Sequence, residues 1–178
     1  MEILSSIIFK FNIKQTQTLD DDVLQFHFPT KLRFTADGMS VDYPINVTKV
    51  EEDFYVPLDK QPTIVRFDPE YSVLANVSFD KPNGMLKKQL ENNSDMVGRL
   101  LACKLLETRK THEAVELLTN TLKNDAFYGV RIAAATALAK HESDEALQAL
   151  AGNWTTQTDA RVRSAVVEKL TNRYRDET

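Results

Sequence analysis

The sequence predicts two structural classes in one chain: a small antiparallel β-sandwich over residues 1–80, then an array of stacked α-helix pairs over residues 81–178. Three observations carry this expectation. All six prolines precede residue 83 and eight of the nine phenylalanines lie within residues 1–80, whereas residues 81–178 hold thirteen alanines and thirteen leucines. That is the contrast between sheet-forming and helix-forming propensity. The hydrophobic period changes at the same place, from two residues to about 3.6. Three helical segments then align at a constant step of 32 residues.

The first half reads as successive strands. Ile7, Phe9, Phe11 and Ile13 alternate with Lys10, Asn12 and Lys14, the pattern of a strand with one wet face. Asp20–Asp22 interrupts it as an exposed turn. Leu24, Phe26 and Phe28 then share one parity, as do Leu32 and Phe34, with Pro29 marking an edge, bulge or bend between them. Asp37-Gly38 is a hairpin signal, and Val41, Tyr43, Ile45 and Val47 alternate beyond it in a strand that Pro44 assigns to an edge. Asp53–Leu58, Thr63–Phe67 and Val73–Phe79 complete six short strands, with no helical crossover pattern between them.

The second half reads as helices. Met85, Leu86 and Leu90 open the first after a KPNG turn. Asp95 caps the next, with Leu100, Leu101, Leu105 and Leu106 as its apolar stripe. Thr111 caps a helix carrying Val115, Leu118 and Leu122. Phe127–Lys140 and Ser143–Leu150 follow, and the last helix spans Asp159–Arg173 with Val162, Val166 and Leu170 on one side.

The repeat comes from aligning DMVGRLLACKLL, FYGVRIAAATAL and DARVRSAVVEKL. Arg99, Arg131 and Arg163 keep the 32-residue step, and so do Leu106, Leu138 and Leu170. One helix pair cannot bury its apolar face alone, so each repeat stacks on the next and the leucines form a continuous core. The arginines are expected to make helix-cap, carboxylate or carbonyl contacts between repeats. Asp95 and Asp159 stand four residues before Arg99 and Arg163, whereas Asp125 stands six before Arg131.

Composition and charge narrow the function. A formal net charge of −4, with 42% hydrophobic and 27% charged residues, excludes intrinsic disorder and a dominant nucleic-acid surface. Residues 1–80 hold 7 basic and 13 acidic residues, and residues 81–178 hold 15 and 13. No uninterrupted apolar run reaches membrane-spanning length. The opening MEILSSIIFKF lacks a basic n-region and reads as structure, not as a signal peptide. The single Cys103 allows neither an intrachain disulfide nor a cysteine-based zinc site. Together these lead us to expect a cytoplasmic protein without a nucleic-acid or membrane partner.

Residues with chemical potential have plainer structural readings. His27, expected in a strand, His112, near a helix start, and His141, near a helix end, show no metal-ligand spacing; His141 could instead meet the negative end of its preceding helix. Asp20–Asp22 and Glu51–Asp53 lack the distributed spacing of a calcium loop. Cys103 sits inside a helical segment with no evident activating base. Ser5-Ser6 and the GNWTTQTD stretch supply hydroxyls without a triad. Tyr128 and Trp154 are the candidate interface aromatics, the alternative for both being to fill gaps between repeats.

The two-part order resembles the C-terminal region of M1-family zinc aminopeptidases, in which a small β-sandwich precedes a HEAT-like helical domain. The resemblance rests on IKQTQ at Ile13–Gln17, FHFPTKLRF at Phe26–Phe34 and TIVRFDP at Thr63–Pro69. Downstream it includes Leu86–Leu90, Asn92-Asn93, the GRLLA segment and YGVRIAAATALAK at Tyr128–Lys140. It implies a noncatalytic C-terminal portion of a zinc aminopeptidase that shapes substrate access. Its partner would be a catalytic domain of the same polypeptide, with peptide substrate met only in that context. The family binds zinc through HExxH and a downstream glutamate, and neither HExxH nor GxMEN occurs here. No cofactor is therefore expected in this chain, and zinc belongs to the parent's catalytic domain. The alternative is a stand-alone helical-repeat protein-interaction module.

Overall fold

The computed structural model describes residues 7–176 and divides the chain into two compact units, Met1–Phe79 and Asp80–Thr178. The first six residues of the opening segment, including Ser5 and Ser6, lie outside the described residues.

The first unit contains two antiparallel sheets. Strand β1 (Ile7–Lys14) pairs with β4 (Glu51–Leu58), placing Phe9 opposite Val56. In the other sheet β2 (Phe28–Ala36) lies between β3 (Met39–Val47) and β5 (Ile64–Phe67). Asp37 and Gly38 join β2 to β3 with φ of 50° and 76°, the left-handed geometry that matches a two-residue hairpin to the strand twist. The two sheets meet through rings. Phe9 packs edge-on against Phe34 with centroids 5.3 Å apart, and Phe11 stacks on Phe67 at 6.4 Å. Leu32, Val47, Val56 and Val65 fill the space between them.

Three expectations for this unit change. Val73–Phe79 forms no strand, so five strands are present among the described residues instead of six. Phe79 still packs on Phe11, at 5.1 Å. Residues 24–27, including His27, precede β2 instead of belonging to a strand. The Gln15 side chain claims the backbone of Phe26 there, donating to its O at 2.7 Å and accepting from its N at 3.0 Å. Pro29 causes no break. It lies outside the Leu32–Thr35 stretch that pairs with β5, so its missing N–H costs no bond on that side. Pro44 does occupy an edge strand, β3.

The second unit contains six helices: α1 (Asn83–Glu91), α2 (Met96–Leu106), α3 (His112–Asn124), α4 (Tyr128–Lys140), α5 (Asp144–Asn153) and α6 (Ala160–Asp176). Asp95, Thr111 and Ser143 accept hydrogen bonds from the backbone N–H of Gly98, Ala114 and Ala146, satisfying donors that a helix start leaves open. Helix α4 packs against α2 and α6 in one layer, and α3 packs against α1 and α5 in the other. Leu86, Leu106, Leu118, Leu122, Leu138 and Leu150 are completely buried between the layers. Leu170, the third leucine of the repeat, is half-buried at the edge of the same cluster.

Candidate functional site

The repeated arginines share one local device. Each stands in the first turn of a layer helix and reaches back to a backbone carbonyl in the preceding connection. Arg99 donates to Asn92 O at 2.9 Å, Arg131 to Asp125 O at 2.6 Å, and Arg163 to Gln157 O at 2.8 Å and Thr158 O at 2.9 Å. Such bonds hold each connection to the helix that follows it. The carboxylate contacts differ among the three copies. Arg99 pairs with Asp125 at 2.8 Å, both side chains 4% exposed, linking α2 to the start of the next repeat. Asp95 caps α2 by accepting from Gly98 N at 2.8 Å. Asp159 binds Arg161 at 2.7 Å, which holds its carboxyl well below the usual carboxylate range. Arg131 and Arg163 have no carboxylate partner among the described residues.

The two aromatic candidates lie in different settings. Tyr128 is half-buried at the start of α4, its ring 4.7 Å from Phe127 and covered by the Arg161 guanidinium of α6 at 3.4 Å. Its ring thus takes part in α4–α6 packing. Trp154, just after α5, is 44% exposed.

The histidines are separated by role. His27 is exposed beside Gln25. His112 is exposed on α3 between Glu116 and Glu145, whose carboxylates face opposite ring nitrogens. His141 is buried, its Nε2 2.9 Å from Leu106 O at the end of α2. It therefore serves a neighbouring helix, where the sequence suggested the end of its own. Buried Gln157 does the same for Leu122 O at 3.0 Å. The sequence singled out His141 but aimed it at its own helix, and it did not distinguish Gln157; the shared offset of 35 residues from the bonded carbonyl was the available signal.

Cys103 is completely buried in α2. Burial, with a smaller contribution from Asp125, pushes its thiol up to about 12, so it is neither a ready nucleophile nor a ready metal ligand. Among the described residues there is no group of three His, Cys, Asp or Glu side chains able to hold a metal ion. Nor is any helix there long and apolar enough to cross a membrane. What the second unit offers is surface: two helical layers with different side chains outward.

Stacked helix pairs in fixed register, with their chemistry confined to packing and helix ends, define a helical-repeat scaffold. The family model for HEAT repeats matches residues 85–171. The chain is thus a small antiparallel β-sheet unit followed by a HEAT-like array. No curated protein matches it.

Proposed function

We propose that this chain is a noncatalytic protein-interaction module whose helical array presents a rigid surface to another folded domain. The match of residues 85–171 to HEAT repeats carries this reading, because stacked repeats create extended surfaces without enzyme chemistry. The modest net charge favours a protein partner over nucleic acid or membrane, and the single cysteine suits the cytoplasm.

A finer version is supported by the β-then-HEAT order and the FHFPTKLRF, TIVRFDP and YGVRIAAATALAK segments. In it, the partner is the zinc peptidase domain of an M1-family aminopeptidase in the same polypeptide. The array would wall its substrate entrance.

Cross-linking with mass spectrometry in the native cell tests the general reading. Links from Lys104 or Lys140 to another protein or domain are expected. Links confined to this chain, together with saturable hydrolysis of aminoacyl reporters by purified residues 1–178, would overturn it. The coding sequence upstream of Met1 tests the finer version, which requires an HExxH-containing domain there.

A further inference from the structure

Charge is divided between the two helical layers. Through residue 172, α2, α4 and α6 carry seven Lys and Arg against one acid, Glu168, whereas α1, α3 and α5 carry three against five. Neither helix propensity nor core packing demands this split, since Lys, Arg and Glu are comparable helix formers on a wet face. Arg99, Lys140, Arg161 and Lys169 pair with Asp125, Glu107, Asp159 and Glu168, which leaves Lys104, Arg131 and Arg163 without a carboxylate among the described residues. Lys104 is exposed on α2. Arg131 and Arg163 donate to carbonyls alone, and the Nε of Arg131 is buried without a hydrogen-bond partner.

Apolar side chains accompany these charges. Met96, Leu100 and Lys104 recur every four residues and so share one face of α2. Met96 is 38% exposed and Leu100 half-buried. Leu100 and Ile132, its counterpart one repeat later on α4, rest partly against the helical core, and Val167 is 44% exposed on α6.

We infer that the α2/α4/α6 face docks an acidic polypeptide segment carrying large apolar side chains among its carboxylates. Resting on the interaction-module reading, this adds the partner's chemistry. The cations supply steering and register, and the apolar side chains supply buried area. A single-stranded nucleic acid fits less well, because it requires free aromatic faces for stacking, and Tyr128, the aromatic of α2, α4 and α6 whose side chain is described, is covered by Arg161.

Fluorescence anisotropy on the full chain tests this with a labelled peptide of Glu-Glu-Leu repeats. The comparison probes are a Gln-Gln-Leu peptide, a thymidine oligonucleotide and phosphatidylserine vesicles. The acidic peptide should bind best, and more weakly as salt rises. Lys104→Glu should weaken that binding about fivefold, while Lys123→Glu, the same charge change on exposed α3, should leave it within about twofold. Both side chains are exposed, and helical circular dichroism checks that each variant folds; Lys104→Gln replaces a variant that does not. Equal losses from the two reversals, no peptide binding, or preference for oligonucleotide or vesicles would overturn the inference. Equal binding of the Gln-Gln-Leu peptide, abolished by Met96→Asp, would sink the acidic partner yet leave the interaction module standing.

Discussion

Asp68 shows how one residue holds a connection that no regular element supports. It follows β5 with φ of 44°, and its carboxylate accepts from Thr30 Oγ1 at 3.0 Å, Ser72 N at 3.0 Å, Ser72 Oγ at 2.6 Å and Val73 N at 2.9 Å. Burial pushes its pKa up, but the bonds from Ser72, Val73 and Thr30 favour the ionised form more strongly and leave it below the ordinary value. A depressed carboxyl contributes its full stability above the unfolded pKa of about 3.9, and that contribution is lost as pH falls through the lower folded value. Asp68→Asn is therefore expected to destabilise the β unit by about 1–3 kcal/mol at neutral pH. The difference from the natural protein should shrink below pH about 3.9. Urea unfolding followed through β2 amide signals measures both; a difference that stays constant with pH would refute the assignment. Local sequence did not expose this role, because the donors stand up to 38 residues away.

At the scale of elements, the sequence was most informative where the deciding interactions are local. Asp95, Thr111 and Ser143 cap helices because the acceptor and its N–H lie three residues apart. The Asp37-Gly38 hairpin is local in the same sense. Val73–Phe79 has the alternation of a strand yet forms none, since a strand also needs a partner edge, which alternation cannot supply. Likewise the neighbour of Arg99 in sequence, Asp95, was visible, while its ion-pair partner Asp125 depended on how the repeats stack. The 32-residue leucine register does have an energetic consequence. Leu138 is completely buried, so Leu138→Ala should cost about 2–5 kcal/mol in lost transfer energy and cavity. Arg131→Ala removes a half-buried side chain bonded to one carbonyl and should cost about 1 kcal/mol. Chemical unfolding read by helical circular dichroism ranks the two. Equal losses would mean that the arginine contacts, and not the leucine core, hold the repeats together.

For the whole molecule, the two classes of structure predict where the chain can be divided. Every member of the buried helical cluster, from Leu86 to Val166, comes from the second unit. Among the described residues, none of residues 7–79 belongs to that core. Between β5 and α1, residues 71–80 contain no regular element, and Tyr71, Leu74 and Val77 are exposed, Leu74 fully so. Proteases act on segments that can leave their neighbours without breaking a ladder of hydrogen bonds. Brief chymotrypsin treatment should therefore cut first after Leu74, beyond the stretch that Asp68 holds, and release a helical fragment beginning at residue 75. That fragment should keep a cooperative thermal transition and its helical signal, because the leucine core remains whole. Mass spectrometry locates the cut and circular dichroism follows the melt. First cleavage within α1–α6, or a fragment that melts without cooperativity, would show that the array depends on the β unit for its fold. A cooperative fragment would show that HEAT-like stacking alone keeps the charged α2/α4/α6 layer in place.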